Sequence, residues 1–278
     1  MSTLSPSRPT VEEVVEEEEE AKESDAHPLS VVLKGGSSIY RLDAADERYQ
    51  HVSASFLQSW TKPNATDIRI EAIWKVLPNR LLRRRHEAYR QSISTALDPL
   101  VLNEKTLFHG THSCLAQRIF NQRMNVVHDL TLDELFCQQD TCATCGIASA
   151  GFDISRSGEG SIQRGLGRIW QRFGHGIYFS KHSSKCHFYS KTGETGLNPD
   201  TNRRYSTMVV SNVVLGNAFT AQGSSNDRKW TKAPQGYHSV QGLPGYAGIN
   251  YEENVVFTKD ACLPSEIIVY SFSHTTEY

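Results

Sequence analysis

The run from Thr207 to Leu215, TMVVSNVVL, constrains this chain more than any other stretch. It is apolar, valine-rich and stopped by Gly216, which is the character of a β-strand. Asn254–Thr258 and Ile267–Ser271 read the same way. Thr106, Leu107, Phe108 and His109 make a shorter apolar run that stops at Gly110. The clear helical signals come earlier, between Leu33 and Lys105. There Pro78 and Asn79 precede Leu82, Tyr89 and Ile93, which recur at helical spacing with Arg83, Arg84, Arg85 and Arg90 between them. Those arginines read as the wet face of an amphipathic helix before they read as a basic patch. Ser113 can cap a further helix with Leu115, Ile119 and Phe120 on or near one face. Strands separated by glycine-rich loops, with the clear helices early, predict an α+β fold in place of regular βαβ alternation.

A length of 278 residues allows one large domain or two small ones. Residues 1–32 are acidic and poor in apolar side chains, with five consecutive glutamates from Glu16 to Glu20, and are expected to be a solvated, disordered tail. Residues 33–278 are expected to form the folded domain. The net charge of -2 gives no global pull toward nucleic acid or anionic lipid. No apolar run is long enough to span a bilayer, and the N-terminus lacks the basic start and apolar core of a signal peptide. The expected setting is therefore intracellular, cytoplasmic or nuclear, with no membrane partner. The loops at 154–171 and 217–250 are long and rich in glycine and serine, and loops of that length are usually functional. No G-x-G-x-x-G opens a helix after a strand, no phosphate-binding G-x-x-x-x-G-K-[ST] occurs, and the G-x-S-x-G nucleophile elbow is missing.

Four segments stand out in order: Leu107-Phe108-His109-Gly110-Thr111, Phe173-Gly174-His175-Gly176-Ile177-Tyr178-Phe179, Ser184-Lys185-Cys186-His187-Phe188-Tyr189, and Tyr251-Glu252-Glu253-Asn254-Val255-Val256-Phe257. Each alone is a weak signal, but their order and spacing together resemble the catalytic domain of the poly(ADP-ribose) polymerase family, of the H-Y-E type. Asn103-Glu104-Lys105 before the first segment is similar to that family too. The likeness runs from about residue 38 to the end, and its loops are most similar to small stand-alone fungal members. It implies the ADP-ribosyltransferase fold, a split antiparallel β-sheet core with flanking helices and NAD+ in the cleft. It also implies cleavage of the nicotinamide–ribose bond, with transfer of ADP-ribose to an acceptor, a protein first among the candidates.

Such a reaction passes through an oxocarbenium-like transition state, so a catalyst must hold nicotinamide still and favour the positive charge growing on the ribose. The resemblance gives Tyr178 and Tyr189 the two sides of the nicotinamide pocket, and gives the Gly110 backbone the carboxamide. His109, with Thr111 nearby, would bond a ribose hydroxyl on the adenosine side. Taken alone, a histidine is more often a satisfied buried polar residue, and a tyrosine a core aromatic. Glu253 would bond the 2′-hydroxyl of the nicotinamide ribose, a bond that strengthens as the ring becomes cationic. Side chains alternate along a strand, so Glu252 would face away and be an exposed surface acid.

The chain departs from the family pattern in places. Cys186 stands where the family has a serine that bonds the carboxamide, and a thiol is a weaker partner. Asp153 stands where some relatives carry a basic adenine contact. Ser157–Arg172 is longer and richer in glycine and arginine than the loop it corresponds to. No helical regulatory region or DNA-binding finger is recognisable, so activation by DNA breaks is not expected. Cys137, Cys142 and Cys145 form a cluster for which reduced thiols are the commoner state. Zinc is the alternative, if a fourth ligand such as His128 came from elsewhere.

Three other functions use the same residues: an NAD+ glycohydrolase with water as acceptor, a non-enzymatic NAD+ or ADP-ribose binding module, and a transferase acting on nucleic-acid ends, for which Arg164, Arg168 and Arg172 could form a basic rim. Loss of His109 or Glu253 would mark the binding module, and this chain keeps both. The acidic tail, including Ser24 and Glu16 to Glu20, is a candidate site of automodification.

Overall fold

The computed structural model describes residues 27, 29–62, 65–96, 102–114, 136–137, 139, 141–158, 171–190, 197–198, 201–221, 230–245 and 249–273. Along the chain lie β1 (Val31–Val32), β2 (Ser38–Arg41), α1 (Glu47–Gln58), β3 (Thr66–Leu77), α2 (Arg80–Ala96) and β4 (Glu104–His109). They are followed by α3 (Ala143–Ala150), β5 (Ile177–Phe179), α4 (Ser183–His187), β6 (Leu197–Asn198), β7 (Arg203–Val214) and β8 (Ala218–Ala221). The last are β9 (Ser239–Gly242), β10 (Glu253–Val256) and β11 (Cys262–Ser273).

The strands form two sheets. The larger has the order β1-β2-β3-β11-β7-β4, with β6 also paired to β7, and the smaller has the order β5-β10-β9-β8. Among the described residues every strand pair is antiparallel except β8 with β9. This is the α+β, split-sheet architecture of the ADP-ribosyltransferase fold.

The valine-rich run becomes β7, beside β11 at the centre of the larger sheet. Nearly every residue of both strands is buried, as expected where a sheet is covered on both faces. Alternate residues of β11 feed the two sides. Ile267 and Val269 pack with Trp74, Phe136 and Cys145 under α3, whereas Ile268, Tyr270 and Phe272 pack with Val52 and Phe56 of α1. A third cluster joins the sheets: Leu107, Val209 and Val213 from the larger meet Ile177, Phe179 and Val256 from the smaller. The sheets also meet through one isolated bridge, in which Phe108 and Ser180 exchange backbone hydrogen bonds of 2.9 and 3.0 Å.

Two expectations change. The stretch from Leu33 to Lys105 reads as helical, and α2 falls where the periodicity places it, but Thr66–Leu77 is a strand of 12 residues. Its Glu, Ala, Lys and Leu are good helix formers. Pairing along β11, with Ile267 opposite Trp74 and Ile268 opposite Ile73, and burial of Ala72, Ile73, Trp74 and Val76 override that preference. The expected loop at 217–250 carries β8 and β9, short strands whose apolar Phe219 and Val240 close the smaller sheet over Phe173. The helix expected after Ser113 lies outside the described residues, as do residues 1–26 of the tail expected over 1–32, whereas Val31 and Val32 of that stretch pair with β2 as a strand. Among the described residues no helix is long and apolar enough to cross a membrane.

Candidate active site

The register of the smaller sheet decides which side chains meet. Tyr178 on β5 lies opposite Val255 on β10, and Glu253 is two residues along from Val255. Side chains alternate, so Tyr178, Val255 and Glu253 share one face, while Ile177, Phe179 and Val256 turn into the cluster between the sheets. The Tyr178 hydroxyl is anchored: it donates to the Gly174 carbonyl at 2.7 Å and accepts the Phe173 N–H at 3.0 Å. Burial pushes the pKa of this phenol up, so it stays protonated. Gly174 has φ +87°, and a Cβ there would come within 2.1 Å of the Trp230 carbonyl oxygen, so glycine alone fits the turn that holds the ring.

Glu253 opens β10 and is 8 % exposed. Its Oε1 lies 2.7 Å from Lys185 Nζ, while Oε2 makes no hydrogen bond to another described residue. Lys185 Nζ also donates to the Tyr189 hydroxyl at 3.2 Å. Burial pulls the Lys185 pKa down, but the Glu253 carboxylate and Tyr189 more than reverse this, so the ammonium is held charged. The short helix α4 thus presents Lys185 and, just past its end, Tyr189 on the Glu253 side.

His109 ends β4. Its Nδ1 lies 2.9 Å from the Tyr178 carbonyl. A carbonyl only accepts, so Nδ1 carries the proton and the lone pair is on Nε2. Burial lowers the His109 pKa, with the bond to Tyr178 acting against it, which keeps the ring neutral. Phe152 and Phe179 pack edge-on or tilted against the ring at 5.2 and 5.6 Å. A neutral imidazole held in this way offers Nε2 as an acceptor, which suits a sugar hydroxyl.

Gly110 follows directly. A Cβ here would lie 1.8 Å from the Cys186 carbonyl oxygen, so the strand end and α4 touch backbone to backbone. Cys186 is buried, its thiol pushed up to about 12 by desolvation, and Sγ donates to the Phe108 carbonyl at 3.2 Å. That carbonyl also accepts the Ser180 N–H, so the thiol here ties α4 to the joint between the sheets. Thr111 lies half-buried in the loop beyond Gly110.

Glu252 corrects an expectation. It is only 7 % exposed, with Oε2 2.9 Å from Lys181 Nζ and Oε1 accepting from Asn254 Nδ2 at 3.1 Å. It does face away from Glu253, but that side is covered by Lys181 and Asn254. Burial works against its charge, and the bonds from Lys181 and Asn254 outweigh it, so the carboxyl pKa is lowered. Asp153 caps the short turn Ile154–Arg156, accepting from Ser155 N at 3.0 Å and Ser155 Oγ at 2.7 Å, which gives the acid a local structural task.

The cysteines gather differently from the sequence expectation. Cys137, Cys142 and Cys145 do meet, and the fourth member is Cys114, with all four Sγ atoms within 4.8 Å of one another. His128, Arg164 and Arg168 lie outside the described residues. Sequence reasoning left Lys185 and Cys114 without roles. Lys185 stands inside the quoted segment 184–189, and a lysine beside two of the site's expected residues was the available signal. For Cys114 there was none, because its neighbours in space are 23 or more residues away in sequence. The model of the poly(ADP-ribose) polymerase catalytic domain matches residues 135–277, which include Tyr178, Lys185, Cys186, Tyr189 and Glu253 and begin after His109.

Proposed function

The chain belongs to the poly(ADP-ribose) polymerase catalytic-domain family, and from that premise we propose how its residues carry NAD+-dependent ADP-ribosyl transfer and to what. Glu253 is the catalytic carboxylate. The observation that carries this reading is the buried pair of Glu253 with Lys185 at 2.7 Å, on the sheet face that also bears Tyr178. Lys185 fixes one carboxylate oxygen and leaves Oε2 for the 2′-hydroxyl of the nicotinamide ribose. That bond tightens as positive charge grows on the sugar, so it lowers the barrier more than it aids binding.

Tyr178 and Tyr189 flank the nicotinamide ring, the first with its hydroxyl already engaged and only its ring face to offer. The backbone of Gly110 receives the carboxamide, with the Cys186 thiol beside it. His109, through Nε2, and Thr111 take the adenosine-side ribose. The acceptor is a protein side chain, in the simplest case a carboxylate. Lys62 lies 4.5 Å over the ring of Tyr251, two residues before Glu253, so the neighbourhood of the catalytic glutamate carries positive charge. Residues 31–278 act as one catalytic domain, which takes in Val31 and Val32 because they pair with β2.

The test is purified protein with labelled NAD+, beside Glu253→Gln. Nicotinamide release and protein labelling should both fall by about 10²–10³-fold in the variant, with NAD+ affinity changed only a few-fold. Nicotinamide release without protein label would replace the transferase with a glycohydrolase. Tight NAD+ binding with no release from the parent protein would leave a binding module.

A further inference from the structure

Cys114 lies in the loop leaving β4, five residues beyond His109. Cys137 precedes α3, Cys142 is its N-cap, and Cys145 is in its first turn. Their four Sγ atoms lie within 4.8 Å of one another, and Cys145 Sγ is 3.6 Å from Cys114 Sγ and 3.7 Å from Cys137 Sγ. None of them is in a disulfide, whose sulfurs would be about 2.05 Å apart. Four thiolates around one zinc ion at about 2.3 Å stand at the corners of a tetrahedron with edges of about 3.8 Å. The two measured separations fall at that spacing. The Cys114 backbone N–H points at Cys142 Sγ, 3.4 Å away, as it would to support a thiolate.

The setting of the cluster narrows what it can hold. Cys142 and Cys145 are buried, and the group packs on Trp74, Phe136 and Ile267, with no carboxylate or imidazole in the set. Neutral thiols are weak partners for one another there. An all-sulfur tetrahedral donor set suits zinc and does not suit magnesium or calcium.

We propose that Cys114, Cys137, Cys142 and Cys145 bind one Zn²⁺ ion in a closed, structural site. It fastens the loop after His109, Gly110 and Thr111 to the start of α3. Protein bonds already lean the same way: Thr144 donates to the His112 carbonyl through N at 3.3 Å and through Oγ1 at 3.1 Å. With four protein ligands the ion has no open position and takes no part in the chemistry. The fastening gains a functional meaning only through the NAD+ site proposed above, whereas the metal site itself does not depend on it.

The full chain, purified without chelator, should carry one zinc per molecule by elemental analysis. Cobalt exchanged into it should show intense sulfur-to-cobalt charge-transfer absorption. Cys114→Ser and Cys142→Ser should retain less than about 0.2 zinc, while Cys262→Ser, a buried cysteine outside the cluster, keeps one. Stripping the metal from the parent protein should speed amide exchange in residues 110–114 and 141–146 by about tenfold or more, leaving β11 protected. A parent protein without zinc, with four thiols titratable in the native state or two disulfides by mass, overturns the site whatever the variants do. Zinc that can be removed with no change in exchange at 110–114 overturns the fastening. Neither readout uses NAD+, so failure of the transferase reading leaves both intact.

Discussion

An alanine at position 110 would place its Cβ 1.8 Å from the Cys186 carbonyl oxygen, 2.7 Å from the carbonyl carbon and 3.0 Å from Ser190 Oγ. Ordinary contact begins at 3.4 Å, so the end of β4 and α4 would have to part by the difference, about 1.6 Å. Neither side yields easily. β4 is held in register on β7, and α4 is tied down through Ser183 Oγ, which donates to the Phe56 carbonyl at 2.6 Å. The 3.2 Å bond from Cys186 Sγ to Phe108 would break. Overpacking of this kind costs about 1–3 kcal/mol, which for a domain of this size lowers Tm by about 2–12 °C. Activity should suffer more, because a shift of about 1 Å between binding groups costs about 10²-fold in rate. Gly146 in α3 is the control. The nearest atom to a Cβ there is Arg156 Nη1 at 3.8 Å, and alanine within a helix gains about 0.5–1 kcal/mol. Scanning fluorimetry and nicotinamide release on both variants decide the matter. If Gly110→Ala stays within about threefold of the parent in rate and within about 1 °C in Tm, the close approach is not what shapes the candidate site.

Lys185→Met strands the Glu253 charge and should cost about 3–5 kcal/mol. Adding Glu253→Gln should recover part of that, so denaturant titration of the double-mutant cycle would give a coupling above about 1 kcal/mol, and additive losses would show that the pair is not coupled. His187 accepts or donates at the Tyr270 hydroxyl 2.7 Å away, and burial lowers its pKa to about 4. The unfolded chain binds that proton more readily, so the stability it contributes is full above about pH 6.5 and is lost as pH falls toward about 4, a change of up to about 3 kcal/mol. The unfolding free energy of His187→Gln should therefore fall less steeply over that range, and equal slopes would refute the assignment. Tyr178→Phe removes a hydroxyl bonded to Phe173 N–H and the Gly174 carbonyl, at about 1–3 kcal/mol of stability. NAD+ affinity by calorimetry should change only a few-fold because the ring face remains, and a large loss of affinity with no loss of stability would place the hydroxyl in the binding site instead.

Much of this was legible in the amino acids. The valine-rich run, the periodic leucine and tyrosine after Pro78, and the strand opened by Glu253 each carry a local signal strong enough to survive without context. His109, Tyr178 and Glu253 stood out through the order of short segments, and the fold brings them near one another: Tyr178 and Glu253 share a sheet face, and His109 bonds the Tyr178 carbonyl. What was hidden depends on partners distant in sequence. Thr66–Leu77 carries helix-forming residues and becomes a strand through β11, almost 200 residues later. Lys185 resembles any solvated helical lysine until Glu253 is brought to 2.7 Å. Glu252 resembles a surface acid because alternation says which way it points and nothing about what covers that side. Cys114 joins its cluster only because the loop after β4 folds onto α3.

The bridge between Phe108 and Ser180 has a consequence for solubility. Among the described residues β4 is the last strand on its side of the larger sheet, and an uncovered last strand is a template for pairing with another chain. Ser180 occupies the backbone groups of Phe108 on that outer side, one residue before His109. The smaller sheet therefore shields the strand that carries the histidine as well as supplying Tyr178 and Glu253. Variants that weaken its docking would expose a sticky margin and also separate His109 from Tyr178 and Glu253, so self-association and loss of activity should arrive together.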